Sequence, residues 1–342
     1  MPTISDVARE AGVSKATVSR VLNNLPVSKE TLAKVTRAME KLQYRPNAQA
    51  RGLTLKRSNL VGVLVPDLDS PFYAPILNSI ESTLSRTGYH MVVCCVGQNI
   101  KRTVTYVHLL RERRIDGGLI LTPRDIDTKA ITKLIADGFP LVIIDGSLEA
   151  DVSCVIVDNF QGGLQATRHL IGLGHKRIAM VTVSGDLPES AERIRGYREA
   201  MREAGLIPEE IICENYTKEC GYASGFVILE KSPRPTAVFC ASDMIAIGLM
   251  EFLEEKGIRV PDDLAIVGFD DISHASVVRP RLSTVHQPLA EMGSIGTGKL
   301  LRLLSGEEKD YTRLVLKTEL VVRESCGVNR VRQQPATRPV AT

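Results

Sequence analysis

The chain has 342 residues, of which 44% are hydrophobic and 24% are charged, so it is long and apolar enough to form more than one compact unit and is not a disordered chain. Its apolar runs, such as Leu60–Pro66, are far shorter than the roughly 20 residues that a membrane-spanning helix needs, and residues 1–30 contain no signal-peptide apolar core. We therefore expect a cytoplasmic protein.

The net charge of +3 is unevenly distributed. Residues 1–58 contain 11 Lys and Arg against 4 Asp and Glu, a net charge of +7, which leaves −4 for the rest. A basic head on a mildly acidic body is typical of a protein whose head meets a polyphosphate. The seven cysteines are scattered and form no C-x-x-C motif, so we expect reduced thiols that fill the core.

The first stretch of the chain predicts two short helices that meet at a glycine. Ser5 is a candidate cap for the first helix, Gly12 ends it, Val13 is placed to fill the corner, and Ser14 is a candidate cap for the second. The apolar stripes that would pack together are Ile4, Val7, Ala8 and Ala11 in the first helix and Val18, Val21 and Leu22 in the second.

The opposite face of the second helix is polar and basic. It consists of Lys15, Ala16, Ser19, Arg20 and Asn23. Such a face suits a helix in the major groove of DNA, where a long cation forks onto guanine and hydroxyls and amides meet phosphates. An ordinary helical hairpin with a solvated polar face is the alternative.

A third helix follows, with Ser28 as its expected cap and Pro46 as its stop. Its predicted buried stripe consists of Leu32, Val35, Met39 and Leu42. These residues would close a three-helix core.

Two runs, TISDVAREAGVSKATVSRVLN from Thr3 and YRPNAQARGL from Tyr44, resemble the LacI/GalR family of bacterial transcription regulators, and the resemblance extends to about Arg323. It implies a helix-turn-helix head over residues 1–46 that binds double-stranded DNA. The DNA contacts that the helix pattern and the resemblance imply are Ser5, Ser14, Lys15, Ala16, Thr17, Ser19, Arg20, Asn23, Asn47, Arg51 and Leu53.

Residues 47–58 are polar and alanine-rich, with too little apolar surface to hold a short helix in water. A flexible linker is the plain interpretation. The resemblance implies instead a hinge helix that folds on DNA, pairs with its dimer mate and inserts Leu53 into the minor groove. Gly52 disfavours a helix by about 1 kcal/mol relative to alanine, so we expect this hinge to resist folding without DNA.

From Asn59 onward, short apolar strands alternate with amphipathic helices in two series. This pattern predicts two lobes, each with a parallel sheet covered on both faces. Strands are expected at 61–65, 90–96, 118–121, 141–144, 154–157, 178–183, 211–214, 237–240 and 264–268, and helices at 74–86, 104–113, 128–137, 162–172, 189–204, 221–230, 244–256 and 289–304. The chain should return through 284–288 and end in apolar residues 314–322.

The predicted fold class is therefore α/β, with an all-α head and a two-lobed core, residues 59–326, of doubly wound parallel sheets. By the resemblance this core is similar to the periplasmic sugar-binding proteins. Residues 327–342 are polar and expected to form a disordered tail.

A ligand is expected outside the carboxyl ends of the strands, in the cleft between the lobes. Carboxylates and arginine bind vicinal hydroxyls or amide edges, and aromatic faces stack on rings, although each such residue taken singly also suits a helix cap or the surface. The candidates for effector binding are Phe72, Asp145, Arg193, Tyr216, Ser242 and Asp270. The resemblance favours Arg193 and Asp270 most. Ser242 stands where several sugar-responsive members have asparagine, which departs from the usual pattern for a hexose.

The sequence contains no complete motif for catalysis. Residues 293–299 have Walker A spacing, but Leu300 occupies the Ser/Thr position and the run lies in a helical pattern. The histidines show no metal-binding spacing, and no serine lies in a G-x-S-x-G elbow. We expect no enzyme, no cofactor and no metal, but a small-molecule effector that is a sugar or a related metabolite.

The prediction is a dimeric repressor that binds a palindromic operator under effector control. A cytosolic ligand sensor that acts without operator recognition is the alternative from another class. A regulator with a protein corepressor is a further variant, which Ala290 does not favour because an aromatic contact would be expected there. A dimer is preferred to a tetramer, since no C-terminal leucine heptad is present.

Overall fold

The computed structural model describes residues 2–23, 25–44, 58–97, 106–107, 110, 114–122, 128–146, 148, 151–308 and 310–327. The chain divides into two units, Met1–Asn59 and Leu60–Thr342, and each is described by itself. The predicted DNA contacts Asn47, Arg51 and Leu53, most of the predicted helix at 104–113 and the tail at 328–342 lie outside the described residues.

The described residues of the first unit form three helices, α1 (Ile4–Ala11), α2 (Lys15–Leu22) and α3 (Lys29–Lys41). The prediction that Ser5 caps α1 is wrong. Helix α1 begins at Ile4, so Ser5 already lies in the first turn, whereas the extended residue before the helix is Thr3. The backbone N–H of Asp6 donates to the Thr3 hydroxyl at 3.4 Å, and the backbone N–H of Thr3 donates to the Asp6 carboxylate at 2.9 Å, which completes a capping box.

The other two predicted caps are confirmed. Ser14 accepts from the backbone N–H of Thr17 at 3.0 Å, and Ser28 accepts from that of Thr31 at 3.2 Å. Gly12 has a left-handed backbone with φ of 65°, which turns the chain between α1 and α2.

The core of the head is small. Its fully or nearly fully buried members are Val7, Ala8, Val18, Val35 and Ala38. The prediction that Leu32 belongs to this core is wrong, because Leu32 is 47% exposed. Val35 and Ala38 fill the buried face of α3 that packs on α1, and Leu32 lies outside that face.

The second unit contains two lobes. The first lobe is built from β1 (Leu60–Val65), α4 (Tyr73–Ser85), β2 (His90–Cys95), β3 (Gly117–Leu121), α5 (Thr128–Ala136), β4 (Leu141–Ile144) and β5 (Ser153–Val157), and later receives α10 (Leu289–Ser305) and β11 (Arg313–Leu316). Its six strands lie in the order β11-β5-β4-β3-β1-β2, and all of them are parallel.

The second lobe has the same plan. It comprises α6 (Asn159–Gly172), β6 (Ile178–Val183), α7 (Pro188–Glu203), β7 (Glu209–Cys213), α8 (Lys218–Glu230), β8 (Ala237–Cys240), α9 (Asp243–Glu255), β9 (Ala265–Asp270), β10 (Ser283–His286) and β12 (Glu319–Val321). The strand order is β12-β10-β9-β8-β6-β7, with only β12 antiparallel to its neighbour among the described pairings.

The two-lobed α/β fold is confirmed, with one difference at the end of the chain. The apolar stretch predicted at 314–322 is divided between the two sheets, because β11 joins the first lobe and β12 joins the second. The chain therefore crosses between the lobes three times, after β5, after β10 and after β11. All three crossings lie at the carboxyl ends of strands, so they border the predicted ligand site.

Burial explains the near-continuous apolar runs of the central strands. Every residue of β3, β4, β6 and β9 is buried, as expected when helices cover both faces of a parallel sheet. In the described part of the chain no helix is both long enough and apolar enough to cross a membrane.

The Walker-like run from Gly293 to Lys299 lies inside helix α10, as predicted. A Cβ on Gly293 would lie 2.1 Å from the Ser79 hydroxyl, so this glycine lets α10 approach α4 closely. Lys299 is buried and forms an ion pair with Glu308. The motif is thus explained by helix packing.

Candidate effector cleft and nucleic-acid interface

Helix α2 presents the side chains expected to read DNA. Lys15, Ala16 and Arg20 are exposed on the face opposite the buried Val18. The Arg20 guanidinium donates to the backbone carbonyl of Pro26 at 2.9 Å, so it is held beside the loop that follows α2. A base contact by Arg20 would have to replace this hydrogen bond.

The remaining described head candidates are more involved in local structure. The Ser14 and Thr17 hydroxyls lie 2.9 Å apart at the start of α2, and the Asn23 amide donates to the Ser19 hydroxyl at 3.4 Å. Ser5 is partly exposed in the first turn of α1. Anionic phosphates are favoured at such helix N-termini, where backbone N–H groups and hydroxyls converge.

In the second unit, Arg193 is the centre of a polar cluster. Its side chain extends from α7 and is only 3% exposed. The Nε atom donates to Oδ1 of Asn159 at 2.7 Å, and Nη1 donates to the carbonyl of Ala241 at 2.6 Å. The guanidinium lies 3.9 Å from the centre of the Phe269 ring, so a cation–π contact covers one of its faces.

Two glycines place helix α7 so that Arg193 reaches this position. A Cβ on Gly163 of α6 would lie 2.4 Å from the backbone oxygen of Arg193. A Cβ on Gly196 of α7 would lie 2.2 Å from the backbone oxygen of Phe160. Because real Cβ atoms do not approach a carbonyl oxygen so closely, both positions need glycine for α6 and α7 to pack backbone against backbone.

Asp270 ends strand β9 and faces Arg193. Gln287 donates to its Oδ1 at 2.7 Å, while Nη1 of Arg193 lies 3.9 Å from the same oxygen, too far for a hydrogen bond. Burial raises the pKa of the Asp270 carboxyl to about 7, and Arg193 and Gln287 offset this effect only in part. The Oε1 atom of Gln287 is buried and has no hydrogen-bond partner in the described part of the chain.

The first lobe contributes a smaller polar pair. The Thr122 hydroxyl, just past β3, donates to Oδ2 of Asp145, just past β4, at 2.7 Å, and both residues are buried. Asp145 also lies close enough to Asp270 to raise that group's pKa further. The two sheets thus bring two carboxyl groups towards each other at the cleft, with the Arg193 guanidinium beside Asp270.

Strained backbone marks the same edge of both sheets. Four residues other than glycine have left-handed φ angles there: Thr122 at 42°, Asp145 at 59°, Asp270 at 118° and Asp271 at 58°. Such conformations cost about 1–3 kcal/mol each and cluster at ligand sites, where the surrounding structure holds them in place. This independent feature points to the same cleft.

The structure places the other candidates less centrally. The Tyr216 ring lies 5.7 Å from the Arg193 guanidinium, at the border of the cluster. The Ser242 hydroxyl accepts from the backbone N–H of Ile245 at 3.2 Å and so caps α9. Phe72 packs edge-on against Tyr73, with ring centres 5.2 Å apart, and against the core of the first lobe.

Four residues of the cluster were missed by sequence reasoning, namely Thr122, Asn159, Phe269 and Gln287. A signal for three of them was present, because Thr122, Asn159 and Gln287 all come within two residues of the end of a strand. The interaction of Phe269 with Arg193 had no such signal, since strand β9 is apolar on both faces. In the described residues, no three His, Cys, Asp or Glu side chains are grouped to hold a metal ion.

The comparisons with known proteins agree with this architecture. Residues 3–47 match the model of the bacterial regulatory proteins of the lacI family, and residues 167–326 match a periplasmic binding protein-like domain. The chain is 36% identical over 331 residues to the HTH-type transcriptional regulator DegA of Bacillus subtilis (strain 168), which covers 94% of this chain and 97% of that protein.

Two solved structures extend the likeness to bound states. The complex of the transcriptional regulator CelR with cellobiose is 34% identical, with a TM-score of 0.72, and covers 95% of this chain and 100% of that one. The lac repressor dimer bound to operator and the anti-inducer ONPF is 30% identical, with a TM-score of 0.83, and covers 95% of this chain and 99% of that one.

The helix-turn-helix head and the two-lobed core define a bacterial transcription regulator rather than an enzyme. With relatives at this level of identity over nearly the whole length, the chain belongs to the LacI family of DNA-binding repressors.

Proposed function

We propose that this protein represses transcription by binding a palindromic operator as a homodimer and that a small molecule in the cleft around Arg193 controls this binding. The single observation that carries the proposal is the buried cluster of Arg193, Asn159, Asp270 and Gln287. It lies where three chain crossings join the lobes, and it retains a buried acceptor, Gln287 Oε1, for which the described protein supplies no donor.

Operator binding is supported by helix α2. Helix α2 exposes Lys15 and Ala16 towards base edges, and Arg20 would join them once it gives up its hydrogen bond to Pro26. The proposed phosphate contacts are Ser14, Thr17 and Ser19, and the proposed flanking contacts are Ser5 and Asn23. Asn47, Arg51 and Leu53 remain proposed hinge contacts, with Leu53 as the minor-groove wedge at the operator centre. The head as residues 1–46 and the hinge as 47–58 likewise remain proposals.

The effector is proposed to be a sugar or a related metabolite that carries several hydroxyl groups. The cleft offers hydrogen-bond acceptors at Asp270, Asp145 and the Gln287 amide oxygen, and it offers a donor at Arg193. It therefore suits a ligand with neighbouring O–H groups. Tyr216, Phe72 and Ser242 are kept as secondary candidates. Among the relatives, CelR was solved with cellobiose, which is consistent with a hydroxyl-rich ligand here.

Dimer formation is supported by exposed apolar side chains on helix α8. Phe226 is 50% exposed and Val227 is 44% exposed, and the Phe226 ring continues an aromatic group with Tyr222 and Phe252. Burial of such a patch by a second copy would remove it from water. A two-fold dimer is also what a palindromic site requires.

The test is selection of bound duplexes from a random DNA library by the purified full chain, without added ligand and at moderate salt. We expect enrichment of one inverted repeat, and the Arg20→Ala variant should relax the preference at one position of each half-site, with about 1–3 kcal/mol lost. Binding that is salt-sensitive but enriches no sequence, both alone and in cell extract, would contradict operator recognition and favour the sensor alternative.

A further inference from the structure

The cysteines do not all have the same environment. All seven are unbridged, and Cys94, Cys154, Cys240 and Cys326 are buried, as the core-filling prediction requires. Cys95, Cys213 and Cys220 are only partly buried, which departs from the prediction, although Cys213 still packs against the core of the second lobe. Two of these three, Cys213 and Cys220, lie next to each other.

Cys213 ends strand β7 and Cys220 lies in the first turn of helix α8. The Cys213 thiol donates to the backbone carbonyl of Cys220 at 3.5 Å, so its sulfur is already at the Cys220 backbone. The Cys220 thiol instead donates to Oδ1 of Asn215 at 3.2 Å. For a bond between the two sulfurs to form, the Cys220 thiol must give up its contact with Asn215.

The segment between the two cysteines borders the effector cleft. It consists of the six residues 214–219, and it carries the Tyr216 ring, which lies 5.7 Å from the Arg193 guanidinium. Its conformation is held by the Thr217 cap of α8 and by the contact of Asn215 with Cys220. A disulfide bond between Cys213 and Cys220 would close a short covalent loop of the chain that contains Tyr216.

We propose that Cys213 and Cys220 form a reversible disulfide that fixes the Tyr216 segment and makes the effector cleft respond to peroxide. In the first step the Cys220 sulfur attacks hydrogen peroxide, which gives a sulfenic acid and one water. In the second step the Cys213 sulfur attacks the sulfenic sulfur, the S–S bond forms, and the hydroxyl leaves as a second water. Two thiols lose two electrons and two protons, and one peroxide is reduced to two waters.

The order of the two steps follows from the environments of the sulfurs. Burial, with the nearby Cys220 thiol as a second cause, raises the pKa of Cys213 to about 12, so this sulfur stays protonated at neutral pH. The Cys220 thiol is partly exposed in the first turn of α8. Cys220 is therefore the sulfur that reacts with peroxide, and Cys213 resolves the product.

The first experiment measures thiols and does not depend on DNA binding. The full chain is treated with hydrogen peroxide, denatured, and its thiols are counted before and after dithiothreitol, with peptide mapping of any disulfide. We expect the wild type and Cys95→Ser to lose two thiols reversibly through a 213–220 bridge, and Cys213→Ser and Cys220→Ser to form no bridge. Cys95→Ser is the matched control, because Cys95 is also partly exposed but its neighbour Cys94 points to the other face of β2.

Dimedone labelling tests the order of the steps. Cys213→Ser should accumulate the sulfenic acid on Cys220, whereas Cys220→Ser should show no sulfenic acid at position 213. Loss of thiols through any other pair, irreversible oxidation of Cys220 in the wild type, or no loss of thiols in the folded protein would overturn the proposal.

The functional consequence rests on the proposed effector control and is measured separately. On a selected operator duplex, the low-molecular-weight fraction of a bacterial extract serves as the effector source. Oxidised wild type should need at least about fivefold more of this fraction for the same change in binding, the lower end of usual coupling between sites, and Cys220→Ser should be insensitive to peroxide. An unchanged response with a confirmed bridge would overturn the link to the cleft, whereas failure of all DNA binding would overturn the proposed function and leave the thiol result standing.

Discussion

The two lobes share one sheet plan but contribute unequally to the cleft. The second lobe holds Arg193, Asn159, Asp270 and Gln287 in a hydrogen-bonded cluster supported by backbone-to-backbone packing of α6 and α7. Among its described residues, the first lobe offers one hydroxyl–carboxylate pair, Thr122 with Asp145. In the described part of the chain the second lobe is therefore the more complete half of the site, and the first lobe adds a carboxylate to it.

Among the described residues, most buried polar side chains of the cleft belong to the second lobe, where α6 and α7 pack backbone against backbone. Buried charges need partners, and the second lobe supplies them from four different elements. The left-handed backbone at Asp270 and Asp271 adds strain that only a rigid surround maintains. Changes in the second lobe should thus affect stability and ligand binding together, whereas changes in the first lobe should affect them less.

The largest effect is expected at Arg193. Arg193→Met removes two hydrogen bonds and leaves Asp270 buried without a cation, so the free energy of unfolding should fall by about 3–5 kcal/mol. Arg195→Met is the matched control, because Arg195 lies on the same helix, is mostly exposed and pairs with Glu192 one turn away. Urea denaturation of both variants measures the difference. An equal loss at both positions would contradict the central place of Arg193.

The next effect concerns the glycine packing. Gly163→Ala puts a methyl group 2.4 Å from the Arg193 backbone oxygen, so α6 and α7 must move apart at a cost of about 1–3 kcal/mol. Gly172→Ala lies in the same helix with nothing within 4 Å of the added group and should be neutral or slightly stabilising. The melting temperatures of the two variants are compared with that of the wild type. An unchanged melting temperature for Gly163→Ala would contradict the close packing of α6 on α7.

A pH dependence should follow from Asp270. Its pKa is raised to about 7 in the folded protein, above the ordinary value of about 3.9, so the folded state binds more protons between these values. This group's contribution to stability is therefore present at low pH and is lost as the pH rises through about 7. As the pH rises from 5 to 8, the free energy of unfolding of Asp270→Asn should increase by about 1–3 kcal/mol relative to that of the wild type.

The measurement for Asp270 is the urea midpoint at several pH values for wild type and variant, since their difference cancels the titrating groups that Asp270 does not influence. The buried Asp243 responds together with Asp270, because the Asp270 carboxylate is one of the causes that raise the pKa of Asp243. Asp186→Asn, which alters an exposed carboxylate outside the cleft, is measured in parallel as the control. A constant difference for Asp270→Asn would show that its carboxyl is not perturbed by the cleft.

The smallest effect is expected in the first lobe. Thr122→Val removes the donor to Asp145 but keeps the β-branched shape at this left-handed position, and it should cost about 1 kcal/mol. Thr122→Ser retains the hydroxyl and should remain near wild type. Chemical denaturation of both variants provides the readout, and a loss as large as that of Arg193→Met would remove the proposed asymmetry between the lobes.

Sequence reasoning predicted the elements well because periodic apolar patterns report burial directly. Strands β4, β6 and β8 were predicted with their observed ends, and Ser14 and Ser28 were predicted as caps. Sequence reasoning failed where the cap of a helix or the burial of a side chain depends on residues that are distant in sequence or on the exact start of a helix. The cap of α1 is Thr3 and not Ser5, because the helix begins at Ile4. Leu32 is exposed because Val35 and Ala38 fill the contact with α1.

The cleft shows the same limit. The rule that ligands bind past strand ends located Asp145 and Asp270, and the family resemblance singled out Arg193, which lies inside helix α7; the three residues lie together in the structure. The rule could not show that Ser242 is occupied as a helix cap or that Gln287 holds Asp270, since both depend on pairings between distant segments. Whether these residues contact an effector stays a prediction.

The most direct test of control through the cleft is the response of operator binding to ligand in wild type and in Asp270→Asn. Fluorescence anisotropy of a selected operator duplex is recorded while the low-molecular-weight fraction of a bacterial extract is added. We expect a saturable change for wild type and at least about a tenfold weaker response for Asp270→Asn at equal operator affinity. An equal response in both proteins, or a wild type that binds the operator but ignores every extract, would contradict control through this cleft.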